Sequence, residues 1–156
     1  MRIKAFLAAA LTGAAIILSG CQTNEIDKTK TSAVAPVAKD ISEEDLVAGK
    51  QHFRDANYGL AEKHFRKAVE LRADNAEAWM GLAAAYDQLG RFDFADRAYD
   101  QLLKVAGRKP QIVNNMGYSQ LLRGNKKKAA ALLAEARKVL GADPVVVANL
   151  NLLRKI

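Results

Sequence analysis

The chain has 156 residues, half of them apolar, which suffices for one modest domain with a packed core and leaves no room for several. Its 24 Lys and Arg against 17 Asp and Glu give a formal charge of +7. A single cysteine excludes an intramolecular disulfide and a cysteine-based metal cluster, and no Gly-rich phosphate loop, nucleophile elbow or zinc-helix motif occurs.

Taken in chain order, Arg2 and Lys4 open a positive start that an uncharged apolar run follows from Ala5 to Leu18. This pattern predicts a secretory signal over residues 1–20. The run is too short for a spanning helix, which needs about 20 apolar residues. It closes on Leu18-Ser19-Gly20-Cys21, which resembles the bacterial lipobox. The resemblance implies cleavage before Cys21 and acylation of its thiol, and Gln22 in place of an aspartate implies the outer membrane, with the folded part facing the periplasm. More than one acyl chain is expected to hold the protein stably, because each buried methylene adds about 0.8 kcal/mol. Without residues 1–20 the charge is +5, and an exported basic chain meets anionic surfaces far more than nucleic acid, so no nucleic-acid partner is expected.

Residues 21–41 are rich in Thr, Ser, Ala, Lys, Asp and Pro with no period of 2 or 3.6, and are expected to form a flexible tether. Such a coil would reach roughly 25 Å. Ser42-Glu43-Glu44-Asp45 predicts a helix start with Ser42 as N-cap and acids in the first turn. From there a shift of 34 residues superimposes three segments without a gap, 42–75, 76–109 and 110–143. Ala61, Ala95 and Ala129 share a column, as do Phe65, Tyr99 and Leu133, then Ala68, Leu102 and Ala136, and Gly49, Ala83 and Gly117. Gly90 matches Gly124, Pro110 matches Pro144, and Trp79 and Tyr86 supply large aromatics. Small residues at paired columns let two antiparallel helices approach while a bulky one fills the space between them.

These columns resemble the tetratricopeptide repeat (TPR) family over roughly residues 42–156. The resemblance implies an all-α fold, a TPR helical-hairpin solenoid of three repeats plus a C-terminal capping helix over 144–156, where Val147, Leu150, Leu153 and Ile156 give an apolar stripe. Repeat one departs from the pattern, with Asp45 in place of an aromatic and His52 where Tyr86 stands one unit later. His52 and His64 fall on different helices with no second acid at metal-ligand spacing, so both are read as structural or surface residues. No metal or cofactor is expected, and no enzyme activity.

The resemblance further implies that a protein or peptide partner lies along the concave face made by the first helix of each unit. The inward columns hold Leu46, Lys50, Phe53 and Arg54, then Glu77, Met80, Ala84, Asp87 and Gln88, then Asn114, Tyr118 and Leu121. From these, Lys50, Arg54, Met80, Asp87, Asn114 and Tyr118 are taken as the candidate groove. Asn115 and Asn149 join them, since they share a column in consecutive first helices. Each amide either holds a bound backbone or satisfies a neighbouring helix. The chaperone-binding clamp of the family is not reproduced, because Ala84 and Tyr118 stand at its polar positions. Lys126, Lys127 and Lys128 open a helix at the end where its dipole disfavours them, facing either an acidic partner, anionic headgroups or solvent. The open first repeat leaves room for pairing with a second copy.

Together these readings describe a membrane-anchored scaffold that assists assembly of an envelope machine. The run Ile112-Val113-Asn114-Asn115-Met116-Gly117-Tyr118-Ser119, with Leu121, Leu122, Arg123 and Gly124 after it, resembles the TPR lipoproteins of tight-adherence (Flp) pilus systems. The alternative is an adaptor for cell-wall or outer-membrane maintenance that recruits a hydrolase or barrel-assembly component.

Overall fold

The computed structural model describes residues 40–155. The expected signal segment, Cys21, the tether up to residue 39 and Ile156 lie outside the described residues. Within them the chain forms seven helices: α1 (Glu43–Arg54), α2 (Tyr58–Leu71), α3 (Ala76–Gln88), α4 (Phe92–Ala106), α5 (Pro110–Leu122), α6 (Lys126–Leu140) and α7 (Pro144–Lys155). α3, α5 and α7 begin 34 residues apart, and so do α2, α4 and α6. Each pair, α1–α2, α3–α4 and α5–α6, is a hairpin packed on the next, and successive first helices touch along one side.

The column chemistry explains the hairpins. Phe65, Tyr99 and Leu133, all buried, are the bulky residues that each second helix drives against its first. Opposite them stand Gly49, Ala83 and Gly117. A Cβ on Gly49 would lie 2.7 Å from the Phe65 ring and one on Gly117 would lie 2.8 Å from a Leu133 methyl, so neither position has room for a side chain. Phe65 is also wedged against Gly81 of the next unit, which joins repeat one to repeat two. The hairpin turns of repeats two and three use Gly90 at φ 68° and Gly124 at φ 74°. The equivalent in repeat one is Ala56 at φ 56°, a left-handed conformation that a Cβ opposes.

Three details differ from the sequence reading. Ser42 occupies the N-cap position of α1, but its hydroxyl makes no capping bond. It donates instead to Asp40 Oδ1 at 2.7 Å and accepts from Asn75 Nδ2 at 3.1 Å. Asp40 also pairs with Arg72, so this residue of the expected tether already pins the chain entry onto the turn between α2 and α3. Asn75 then caps α3 through Ala78 N at 3.0 Å. In α7 the buried stripe agrees with the expected set only in part: Leu150 and Leu153 pack on the Leu121, Ala129 and Leu133 cluster as expected, while Val146 and Asn149 are buried beside them and Val147 is exposed. Asp143 Oδ1 starts the helix by accepting from Val145 N and Val146 N, and Val146 turns inward in the column of the buried Ala78 and Ile112. Leu46 and Leu121, placed by sequence on the concave face, are core residues.

No helix among the described residues is long and apolar enough to cross a membrane.

Candidate binding groove

α1, α3 and α5 line one face with two adjoining cavities of about 280 and 310 Å³. Lys50, Phe53, Arg54, Glu77, Met80 and Ala84 line the first, with Phe65 and Gly81 at its floor. Phe53 and Ala84 continue into the second, where Asp87, Gln88, Asn115 and Tyr118 join them over the Tyr99 ring. Of the eight residues expected in the groove, six therefore sit at it: Lys50, Arg54, Met80, Asp87, Asn115 and Tyr118. Phe65 and Tyr99 were missed as groove lining because they belong to second helices. Their signal was the bulky packing column, which places the ring between two first helices and leaves one edge reachable from the groove.

The six differ in how free they are. Lys50 is engaged by Glu77 at 2.6 Å across the first two units, both side chains remaining half-exposed. Arg54 is exposed and donates to Gln51 on its own helix, with no carboxylate partner among the described ion pairs. The amide of Asn115 reaches the Met80 sulfur at 2.9 Å, and Tyr118 receives a long contact from Gln88 at 3.5 Å. Arg54, Met80, Asn115 and Tyr118 thus have weak or local partners, so a ligand can displace these contacts at little cost.

Asp87 is a floor residue. It is 3% exposed and accepts from Ser119 Oγ at 2.6 Å and Tyr99 Oη at 3.0 Å. Burial raises its carboxyl above the usual 3.8, against the lowering effect of those two hydrogen bonds and of Arg123. The same burial, with the adjacent carboxylate, pushes the Tyr99 phenol well up. Arg123 holds Asp96 bidentately at 2.8 and 2.7 Å and Ser119 at 2.8 Å. The network ties α3, α4 and α5 together beneath the second cavity.

Asn114 and Asn149 are not presented to the groove. Both are buried, with Asn149 Nδ2 donating to Asn114 Oδ1 at 3.1 Å, so of the two readings for Asn149 the structure carries the one in which the amide satisfies a neighbouring helix. Asn114 in turn contacts Asn115 at 3.4 Å, making a polar ladder from Met80 to α7.

At the open edge of repeat one the two histidines lie on different helices, as expected, but their rings stack with centroids 5.3 Å apart. His64 Nδ1 lies 2.9 Å from Asp45, which also takes Lys67 at 3.0 Å. Asp45 is thus the acid that spacing did not reveal, filling the place of an aromatic with an ion cluster. Burial works against its charge, but the bonds from His64 and Lys67 outweigh it and hold the carboxyl below its ordinary value. Among the described residues no group of three or more His, Cys, Asp or Glu is placed to hold a metal.

A larger cavity of about 440 Å³ lies between α2 and α4, floored by Trp79, Leu82 and Tyr86. Trp79 Nε1 donates to Ala73 O at 2.8 Å and Tyr86 Oη to Glu62 at 3.2 Å. With their polar ends so used, these aromatics act as packing between units.

Stacked helical hairpins of 34 residues with a groove on the first-helix face define the TPR solenoid as the class. Residues 52–114 match the tetratricopeptide repeat family. The fold agrees with solved TPR structures: the Arabidopsis OM64 TPR domain has a TM-score of 0.64 at 20% identity, covering 73% of this chain and 94% of that one. The Yersinia enterocolitica type III secretion chaperone SycD, in complex with a peptide of the translocator YopD, has a TM-score of 0.61 at 18% identity, covering 72% and 89%. Among curated proteins, the cytochrome c-type biogenesis protein CycH of Pseudomonas aeruginosa is 30% identical over 111 residues, 70% of this chain. The chain spans 27% of that protein's length.

Proposed function

We propose that the chain is a lipid-anchored TPR scaffold, acylated at Cys21 and held on the periplasmic side of the outer membrane, whose groove binds a segment of a partner during assembly of an envelope machine. It acts by binding and not by catalysis. The observation that carries this reading is the pair of adjoining cavities sharing Phe53 and Ala84, a continuous mixed surface with an unpaired cation, Arg54, at one end and Tyr118 and Asn115 at the other. A segment with an acidic residue followed by apolar ones matches it. The lipobox resemblance at Leu18–Cys21 supports the anchor, and the run Ile112–Ser119 supports a Flp-type pilus as the machine. The similarity to CycH favours a second reading, a cytochrome c-type assembly system.

The test is in-cell crosslinking of the anchored protein, wild type against Arg54→Glu/Met80→Ala. Recovery of a secretin or other pilus component that the variant loses supports the first reading. Recovery of cytochrome c assembly proteins on the same terms replaces it with the second. Partners retained equally by the variant sink the groove as the binding site.

A further inference from the structure

Charge is distributed unevenly along the array. Residues 110–156 carry eight Lys and Arg against two acids, whereas residues 40–109 carry eleven against thirteen. Both acids of the last section are already used: Glu135 is held by Arg108 through two bonds of 2.8 Å, and Asp143 caps α7. α6 and α7, joined by the short turn 141–143 and packed on each other, run antiparallel, with Leu150 and Leu153 against the Leu121, Ala129 and Leu133 cluster. The end of α7 therefore stands beside the start of α6. That brings Lys126, Lys127, Lys128, Arg154 and Lys155 to one corner, all exposed. None of them is among the described ion pairs, while Arg154 makes only a 3.3 Å contact with Asn151 on its own helix.

The first turn of α6 contains no acid and Asn125 makes no side-chain capping bond, so the three lysines add to the positive end of the helix dipole without compensation. The kind of cation is informative. Arginine forks hold Glu135 and Asp96 through Arg108 and Arg123, and the lysines that do meet carboxylates, Lys50 with Glu77 and Lys67 with Asp45, each make a single contact. The corner instead has four lysines in five, hydrated point charges on flexible stems that favour no one geometry. Leu122 and Leu152, 39% and 43% exposed, lie within a turn of the cluster along the chain.

The geometry points to this corner as a contact site for the anionic surface of a lipid bilayer, the phosphates of many headgroups rather than one shaped ligand. It is independent of the groove and of acylation at Cys21. In an anchored protein it turns the α6–α7 end toward the membrane.

The full-length chain is tested for binding to phosphatidylcholine vesicles with and without about a third phosphatidylglycerol, so that any apolar anchor contributes equally to both. The wild type is expected to prefer the anionic vesicles roughly tenfold or more at low salt, falling as salt screens the contact. Lys127→Gln/Lys128→Gln should remove most of that preference, while Lys63→Gln/Lys104→Gln, the same charge change elsewhere, should keep it. Thermal melts confirm that both variants remain folded. Equal loss in the two variants would mean that net charge alone is responsible and would overturn the proposal. No preference in the wild type overturns it as well, and loss of an acidic crosslinked protein in the corner variant would then assign the corner to a protein.

Discussion

Ala56 shows how a single departure from the repeat is felt. The two glycines in its column accept positive φ without cost, whereas its Cβ does not, and Ala56→Gly relieves that conflict while giving the unfolded chain more freedom. The balance favours the folded state by about 0.5–1 kcal/mol, to be read as a higher urea midpoint with an unchanged slope. A lower midpoint would show that the turn is unstrained. Asp45 is the second such departure, and its effect depends on pH. Because its folded carboxyl is held below the unfolded value near 3.8, the stability it supplies is present above that value and is lost as pH falls through the lowered one. Asp45→Asn should therefore unfold at a lower temperature than wild type near pH 6, by an amount corresponding to about 1 kcal/mol, and the gap between the two melting temperatures should narrow as pH falls below 3.8. A gap that does not narrow as the pH is lowered would mean that the residue acts by packing.

At the scale of the helix, α7 depends on a bond that alternation of apolar residues does not encode. Asn149→Ala leaves Asn114 Oδ1 buried without its donor, a cost of about 1–3 kcal/mol, whereas Asn114→Leu/Asn149→Leu removes both halves and should cost much less. Hydrogen exchange along Val145–Lys155 is the measurement: faster exchange in the single variant than in the double supports the ladder, and the reverse order removes it. The same helix shows what a sequence can state. Helix starts at 34-residue intervals were legible because the Ala, Gly and aromatic columns are constraints of close approach within each hairpin. The inward face of α7 was not read from the apolar stripe, since Val145, Val146 and Val147 are equivalent as apolar residues, and Val146 is singled out by sharing the repeat column of Ala78 and Ile112, both buried. The groove was legible where first-helix columns face open space, as at Lys50, Arg54, Met80 and Tyr118. It misled at Asn114 and Asn149, which pair with one another away from the groove, and it did not reveal that Asp87 lines the groove as a floor residue held by Ser119 and Tyr99, because these partners are brought together only by stacking of the units.

Across the whole array the apolar interior falls into two parts. One runs through repeats one and two and ends at Ile112. The other, smaller part is Leu121, Ala129 and Leu133, closed by Tyr118, Leu150 and Leu153. In a solenoid each unit is stabilised by its neighbours, so the smaller part depends on α7 for its outer side and on the junction of α5 with α3 and α4 for its inner side. Ending the chain after Ala142 removes Val146, Leu150 and Leu153 and exposes Leu133, which contributes about 2 kcal/mol or more when buried. The α5–α6 hairpin should then open ahead of the rest. Amide exchange in α5 and α6 is expected to speed up by roughly thirtyfold or more for a loss of that size, while α1 to α4 keep the protection of the full chain. The junction sets how far the opening spreads: Asp87, Ser119 and Arg123 hold α5 onto α3 and α4 from beneath the groove. If all six remaining helices lose protection together, that network couples the two parts into one unit. The second cavity would then report on the cap through the same residues.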